Sequence, residues 1–193
     1  EYGAKKYFNE VWTSDNTEAL SRARIQYGTS LFYPATVMGS HVSATPNHQT
    51  SNITPIKFRF DMACAGRLGM ELQRKAIESY KGYRDIVMEG DLYRIGTPYD
   101  DTGYYGVMYV SKDKKKAVLF TYCTLYQSRT LVPKFRLYGL DAQTRYRIRE
   151  QNVDKKRFWF DGGTFTGEYL NHAGINPNLN KIYDSAVFVL EAE

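Results

Sequence analysis

The stretch VWTSDNTEALSR (residues 11–22) contains the residues of this chain that are best suited to proton chemistry. Trp12, Ser14 and Asp15 follow a short apolar run, and a segment with helical periodicity begins directly after them. An aspartate at such a junction has two interpretations. It accepts hydrogen bonds from the first turn of the helix as a cap, or it exchanges a proton with a substrate as one of a pair of catalytic groups. Taken alone, the position favours the cap.

The elements around Asp15 belong to a first strand and helix. Residues 7–14 are typical of a strand. Asp15 or Asn16 is expected to cap the following helix, and Glu18 lies near its first turn. The spacing predicts that one stripe of this helix faces a core, and its members are Ala19, Ala23, Tyr27, Ser30 and Leu31.

Two more pairs of strand and helix follow. Strands are predicted at 35–44 and 67–72, and Thr54 with Pro55 is a helix start, with a capping hydroxyl before a proline. The predicted buried positions and stops are Ile56, Phe60, Ala63 and Gly66 in one helix, and Ile77, Tyr80, Tyr83, Val87 and Gly90 in the other, at 74–90. This alternation predicts a parallel α/β sheet or barrel, and three units on their own leave two open strand edges.

After Gly90 the period of the apolar residues changes from helical to alternating. The predicted strands are 104–111, 117–123, 134–140, 144–150, 157–160 and 186–192, and KDKKK at 112–116 is a hairpin turn between two of them. Short alternating strands predict an antiparallel β-sandwich. We therefore place a domain boundary near residue 90, which divides the chain into residues 1–90 (α/β) and 91–193 (all-β).

The composition excludes several classes of protein. The chain has 193 residues, 15% of them aromatic, and a net charge of +5 without a block of five like charges, so we expect a folded protein that binds no nucleic acid. No apolar run approaches a membrane span. Cys64 and Cys123 lie in apolar runs and are expected to be buried free thiols. His41, His48 and His172 show no ligand spacing, so we expect no metal and no cofactor.

Several long motifs resemble one known family. WTSDNTEALSRARIQYGTSLFYP and MGSHVSATPNHQT in the first half are similar to the C-terminal third of the α-galactosidases of glycoside hydrolase family 36. The resemblance continues through GRLGMEL, GDLYRIGTPY, VMYVSKDKKKAVLF, RLYGLDAQTRYRI and LNHAGIN, and it covers nearly the whole chain.

The resemblance implies both a fold and an activity. Family members have a (β/α)8 barrel followed by an antiparallel β-sandwich, so the three strand–helix units here correspond to the last three of the barrel. The family consists of retaining exo-α-galactosidases, whose acid/base is the aspartate of a W-x-S-D motif at the end of the sixth barrel strand. That motif matches Asp15, which the resemblance identifies as the proton donor.

The nucleophile of the family is an aspartate in a K-x-D-x-N motif on strand four. No stretch of these 193 residues matches it, because KDKKK and VDKKR differ in pattern and fall in the second half. A retaining glycosidase requires two carboxyls about 5–5.5 Å apart. We therefore expect a truncated piece of such an enzyme, inactive when alone because the strand that carries the nucleophile is absent.

The resemblance also suggests contacts with the sugar. Trp12 and Ser14 are the expected substrate-binding residues, since a flat indole suits the apolar face of galactose, although packing inside the barrel explains Trp12 equally well. His41 and His48 are expected to hold loops together, and Arg22 to be a structural ion-pair partner.

The chain departs from the family pattern at two places. Glu18 stands where the family often has aspartate, and Ser51 and Asn52 stand where it often has glycine and arginine. The second change removes a cation from a loop on the face where the resemblance implies the active site.

The alternative function is a non-catalytic structural or sugar-binding β-sandwich module. The expected partners are α-galactoside oligosaccharides, together with a second copy of the chain in a homo-oligomer or the missing N-terminal part of the enzyme. No membrane partner is expected. The compartment is not assigned, since a signal for export from a bacterial cytoplasm would lie upstream of Glu1.

Overall fold

The computed structural model describes residues 7–69, 74–126, 132–153 and 157–193. The helices in this part of the chain are α1 (Ala19–Thr29), α2 (Ile56–Cys64), α3 (Arg74–Glu89) and α4 (Gly167–His172). The strands are β1 (Gly39–His41), β2 (Arg67–Gly69), β3 (Asp91–Gly96), β4 (Tyr104–Val110), β5 (Lys116–Cys123), β6 (Arg145–Gln151), β7 (Thr164–Thr166) and β8 (Asp184–Ala192). Strands β1 and β2 form a parallel sheet, and the other six form an antiparallel sheet in the order β3-β4-β5-β8-β6-β7.

The first half contains parallel backbone segments that are each followed by a helix, as predicted. Strands β1 and β2 pair in parallel from Gly39 opposite Arg67. Val11 forms a parallel bridge with Met38 on the other side of β1, with its N–H donated to the Val37 carbonyl at 2.6 Å. These segments precede α1, α2 and α3 in chain order, so the alternation of strand and helix is confirmed.

The strands of this half are shorter than the sequence indicates. Of the strand predicted at 7–14, only Val11 pairs in the structure. The strand predicted at 35–44 is reduced to β1 and is preceded by a 3-10 turn at Ala35–Val37. The strand predicted at 67–72 is present as β2, and its last residues lie outside the described ranges.

The helices follow the predicted faces in their interiors and differ at their ends. Tyr80, Tyr83 and Val87 of α3 are buried as predicted, and so are Phe60 and Ala63 of α2. Two predicted core residues are exposed instead: Ile56, the first residue of α2, and Leu31, which follows the end of α1. Both lie at helix ends, where the chain moves away from the core.

The start of α2 does not have the predicted cap. Pro55 occupies the capping position without a side-chain hydrogen bond. Thr54 is buried, and its backbone N–H is donated to the Thr45 hydroxyl at 3.2 Å. The prediction of a Thr54 cap is therefore wrong. The predicted stops are confirmed, since α2 ends before Gly66 and α3 ends before Gly90.

The second half is an antiparallel sheet, as predicted. Strands β4 and β5 are joined by the predicted hairpin turn, in which Lys114 has a φ of 58° and the Ser111 N–H is donated to the Lys116 carbonyl at 2.8 Å. Strand β3 pairs with β4 along its whole length, but it was not among the predicted strands. Its sequence DLYRIG has no regular alternation of apolar and polar residues.

In the described residues the antiparallel strands form one sheet rather than the two of a sandwich. Residues 134–140, predicted as a strand, have only the Phe135 bridge to Ile175. Phe135 and Leu137 are nevertheless buried in the predicted alternation. The layer on this face of the sheet is completed by α4 and by residues 157–160, which form a turn instead of the predicted strand.

Two hydrophobic cores lie on opposite faces of the six-stranded sheet. One is shared with the layer of loops and α4. The other is shared with helices α1, α2 and α3, so the two halves of the chain have a common core. In this second core Tyr109 donates its hydroxyl to the Ala65 carbonyl at 2.8 Å, and Tyr122 donates to the Asp61 carbonyl at 2.9 Å. Cys64 and Cys123 are buried free thiols, as predicted. Among the described residues, no helix combines the length and apolarity that crossing a membrane requires.

Candidate active site

Asp15 lies in the loop that follows Val11, at the carboxyl end of the first parallel segment. Its side chain is exposed, and Oδ1 accepts a hydrogen bond of 2.7 Å from the indole Nε1 of Trp12. Its second oxygen, Oδ2, accepts no hydrogen bond from any described residue. The carboxylate is thus fixed through one oxygen and presents the other to solvent.

The cap of α1 is Glu18, so the prediction that Asp15 or Asn16 caps this helix is wrong. Glu18 accepts from the backbone N–H groups of Leu20 at 3.0 Å and Ser21 at 2.8 Å. The longer side chain of glutamate folds back over the first turn and is itself buried. Asp15 is left with no bond to the helix, which frees it for contact with a ligand.

Ser14 and Asn16 stabilise the loop between Asp15 and the cap. The Ser14 hydroxyl accepts from the Asn16 N–H at 3.1 Å, and the Asn16 side-chain oxygen accepts from the Glu18 N–H at 3.0 Å. These bonds are short-range turn bonds of the kind that serine and asparagine make outside helices. The Ser14 hydroxyl keeps its own proton available for donation.

Trp12 and His41 bring the ends of two neighbouring segments together. Their ring centroids are 4.8 Å apart at an interplanar angle of 64°, an edge-on arrangement that aromatic pairs favour. Trp12 is 51% exposed, so part of its surface is open to a ligand. His41 holds the Trp12 ring in place, which agrees with its expected role as a loop support. His48 lies exposed in the loop after β1.

Arg22 lies beneath this loop and has a structural role there. It is 4% exposed, and its hydrogen bonds run to neutral acceptors: Thr13 Oγ1 at 2.6 Å, the Gly39 carbonyl at 3.0 Å and Gln26 Oε1 at 3.2 Å. Among the described residues no carboxylate pairs with it, so its expected role as an ion-pair partner stays a prediction. Burial lowers the pKa of Arg22 to about 10, and the side chain remains charged at neutral pH.

The sequence contains one signal for this buried support. Arg22 and Gln26 are polar residues four apart, on the same helix face as the apolar Ala19 and Ala23. Polar side chains on an inward face need partners inside the protein.

The described part of the chain contains no group of three histidine, cysteine or acidic side chains that could hold a metal ion.

The fold and the site together define a class of protein. Parallel strand–helix units with a carboxylate at the carboxyl end of a strand are the arrangement in which barrel enzymes place their active sites. A family model described as Melibiase matches residues 1–87, and one described as the glycosyl hydrolase family 36 C-terminal domain matches residues 104–190.

Individual relatives agree with these matches. Alpha-galactosidase 2 of Hypocrea jecorina is 37% identical over 205 residues, covering 99% of this chain and 26% of the relative. The galactosidase domain of the alpha-galactosidase-sucrose kinase AgaSK superimposes with a TM-score of 0.87 at 32% identity, covering 100% of this chain and 27% of that one. A variant of AgaA from Geobacillus stearothermophilus, in complex with raffinose, superimposes with a TM-score of 0.86 at 32% identity. The match covers 99% of this chain and 27% of that one.

The chain belongs to glycoside hydrolase family 36 and corresponds to the C-terminal part of its α-galactosidases. It spans about a quarter of the length of the curated relatives that it matches.

Proposed function

We propose that this chain supplies the acid/base side of a retaining exo-α-galactosidase, with Asp15 as the proton donor. The observation that carries the proposal is the placement of Asp15. It is an exposed carboxylate at the carboxyl end of a parallel segment, it takes no part in capping α1, and the Trp12 indole binds one of its oxygens. Barrel enzymes assemble their active sites at this end of the strands.

The chemistry divides between two carboxyls. In a retaining glycosidase a nucleophilic carboxylate attacks the anomeric carbon while the acid/base donates its proton to the departing glycosidic oxygen. The acid/base then removes a proton from water, whose oxygen displaces the enzyme from the sugar. Because Trp12 holds Oδ1, we assign both proton transfers to Oδ2 of Asp15.

The substrate class that we propose is α-galactoside oligosaccharides of the raffinose type. The raffinose complex of the related AgaA supports this choice. We propose that Trp12 contacts the sugar with its exposed surface. We propose that the Ser14 hydroxyl donates a hydrogen bond to a sugar oxygen. Trp12 packs edge-on against His41 and remains 51% exposed, which leaves part of its surface open and supports this proposal.

The 193 residues on their own are proposed to be inactive. They contain no K-x-D-x-N motif for the nucleophile, and an acid without a nucleophile at about 5–5.5 Å performs no retaining displacement. We retain the division into residues 1–90 and 91–193 as part of this proposal. The two family models support it, because one ends at residue 87 and the other begins at residue 104.

Hydrolysis of a nitrophenyl α-galactoside tests the proposal. The 193-residue chain should give no turnover, whereas a fusion that places the preceding region of AgaA in front of it should be active. In that fusion Asp15→Asn should lower kcat by about 10²- to 10⁴-fold, because general acid catalysis is lost. Asp85→Asn, an exposed carboxylate on α3, is the matched control and should leave kcat unchanged.

Two results would contradict the assignment. Turnover by the isolated chain that Asp15→Asn abolishes would refute the need for a second carboxylate from elsewhere. Full activity of the Asp15→Asn fusion would remove Asp15 from the mechanism.

Trp159 favours a second candidate, a non-catalytic sugar-binding module. Its indole is 87% exposed in the turn at 157–160, on the half of the chain that does not carry Asp15. Calorimetric titration with galactose separates the candidates. Millimolar binding that survives Asp15→Asn and is lost in Trp159→Ala would favour the module.

A further inference from the structure

A buried polar network lies directly beneath the Asp15 loop. Its centre is the guanidinium of Arg22, which reaches the loop at Thr13, strand β1 at the Gly39 carbonyl, and helix α1 at Gln26. These three acceptors belong to three different segments of the backbone. The arginine therefore joins the loop to the two elements between which it lies.

Gln26 extends the network to a fourth element. Its Oε1 also accepts from the Ser40 hydroxyl at 2.9 Å, and its Nε2 donates to the Met62 carbonyl of α2 at 2.9 Å. Arg22, Gln26 and Ser40 are all buried. Fully satisfied buried networks of this kind hold a single arrangement, because any displacement leaves a polar group without a partner.

The buried charge of Arg22 lowers the stability of the folded chain unless other groups compensate it. A buried guanidinium loses its hydration, and here no described carboxylate compensates it. Neutral oxygens can hold it only if several of them converge with good geometry. The planar fork of arginine suits this task, since it donates in several fixed directions at once, and lysine does not.

Thr13 is the point at which the network touches the catalytic loop. It lies between Trp12 and Ser14 and two residues before Asp15, and its hydroxyl bond to Arg22 is 2.6 Å. Thr13 is the chain neighbour of Trp12, so a displacement of Thr13 would also displace the backbone of Trp12. Trp12 in turn holds Oδ1 of Asp15.

We propose that Arg22 is a positioning residue of the acid/base: by clamping Thr13 to the Gly39 carbonyl, it holds the Trp12–Asp15 pair at the carboxyl end of the parallel strands. The catalytic meaning of this clamp rests on the proposed function of Asp15. The geometric claim does not, because it concerns only whether the Trp12–Asp15 hydrogen bond depends on Arg22.

The test uses the indole N–H resonance of Trp12 in the ¹⁵N-labelled 193-residue chain. Trp159→Phe leaves Trp12 as the single tryptophan, so its resonance needs no further assignment. Asp15→Asn defines the signal without the carboxylate: an indole N–H that loses an anionic acceptor shifts upfield and exchanges faster with water. Thr13→Val, Arg22→Lys and Arg22→Met are then compared with it in the same background.

We expect Thr13→Val and both Arg22 variants to move the Trp12 resonance toward its position in Asp15→Asn. Thr13→Val is the decisive variant, because it preserves side-chain volume and removes only the bond to the loop. Ser40→Ala is the matched control, since it breaks a bond of the same network on the side away from the loop, and it should leave the resonance in place.

An unchanged Trp12 resonance in folded Thr13→Val and Arg22→Lys chains would overturn the proposal. An equal shift in Ser40→Ala would also overturn it, because the effect would then reflect general loosening of the core. If the resonances behave as expected but the Asp15→Asn fusion keeps its activity, the clamp stands and the proposed function fails.

Discussion

At the scale of single residues, the cap of α1 is Glu18 and not the aspartate that the sequence position indicates. The aspartate directly before the periodic segment has the usual position of a cap, yet the glutamate three residues later accepts the N–H groups of the first turn. A shift of the helix start by a few residues decides which side chain reaches those groups. Sequence patterns locate helix ends no better than this, so the cap could not be assigned in advance.

Because Glu18 and not Asp15 caps α1, substitutions of these two residues should differ in their effect on the free energy of unfolding. Glu18→Ala should lower the free energy of unfolding by about 1 kcal/mol, because two backbone N–H groups of α1 lose their acceptor. Asp15→Ala removes a carboxylate that caps nothing and should change the stability by less than about 0.5 kcal/mol. Chemical denaturation followed by circular dichroism measures both. A larger loss in Asp15→Ala than in Glu18→Ala would return the cap to Asp15.

Glu150 is a second residue whose environment gives it a testable property. Its side chain is fully buried in β6 and pairs with Arg157 at 3.0 Å, and Arg157 also pairs with Asp184 at 2.7 Å. Burial raises the pKa of Glu150 above its usual 4.5, and Arg157 only partly opposes this. The folded protein therefore holds this proton more tightly than the unfolded chain does.

The raised pKa of Glu150 predicts the pH dependence of one substitution. The contribution of Glu150 to stability is fully present below pH 4.5 and is lost as the pH rises through the folded-state pKa. Glu150→Gln carries no titrating proton, so its stability relative to the native chain should increase with pH across that window. Thermal unfolding of both chains at a series of pH values measures the difference, with Glu191→Gln as the partly exposed control. A constant difference would contradict the raised pKa.

At the scale of elements, helix α2 is attached to the sheet through Asp61. This carboxylate is completely buried and accepts from Lys57, from Asn152 Nδ2 at 2.9 Å and from Ser185 Oγ at 2.7 Å. The partners come from α2 itself, from the residue after β6 and from β8. One side chain thus joins an element of the first half to two places in the second.

Removal of this carboxylate should be strongly destabilising. Asp61→Ala leaves Lys57, Asn152 and Ser185 without their common acceptor, and we expect the free energy of unfolding to fall by about 3 kcal/mol. Asp85→Ala, at an exposed position of α3, should cost less than about 0.5 kcal/mol. Urea denaturation of the two variants gives both values. Similar small losses would show that the buried cluster contributes little.

The sequence predicted elements well where their periodicity was long and regular. Helix α3 and strands β4, β5, β6 and β8 match their predicted positions to within a few residues. The sequence does not predict strand β3, and it predicts strands at residues 134–140 and 157–160 that the structure does not contain. In these segments apolar residues are buried by packing against the sheet rather than by strand pairing. Alternation records which residues are buried, and it contains no information about the backbone partner.

At the scale of the whole molecule, the parallel half presents backbone edges and exposed aromatic side chains. Among the described residues, the Val11 segment and β2 are the outermost segments of the parallel arrangement. Tyr7 and Phe8, which precede Val11, are 81% and 64% exposed. Open edges with apolar neighbours are sites at which chains associate.

We propose that the isolated chain associates with itself or with a polypeptide that supplies neighbouring strands. Multi-angle light scattering should show a mass above 22.3 kDa that increases with concentration. Phe8→Lys should reduce this association by placing a charge beside the open edge. Trp159→Lys introduces the same charge at an exposed aromatic residue of the other half and is the control. A monomer at every concentration would contradict the proposal.

Overall architecture was more accessible from the sequence than the site was. The change of period near residue 90 and the W-x-S-D motif indicated the order of the parts and the position of Asp15. The support beneath Asp15 was not anticipated, because Thr13, Arg22 and Gly39 meet only after the chain has folded. The inward position of Arg22 and Gln26 indicates that these side chains have partners inside the protein, but it does not identify Thr13 and Gly39 as those partners.

The tyrosines of the six-stranded sheet have a consequence for how this region can be inherited or recombined. Tyr109 and Tyr122 supply hydroxyl donors to the carbonyls of Ala65 and Asp61 across the point where the two family models separate. A gene cut near residue 90 would strip these carbonyls of their donors and expose aromatic rings to water on the other piece. We therefore expect selection against recombination that exchanges one half without the other. The DNA that encodes the two halves should be inherited as one unit.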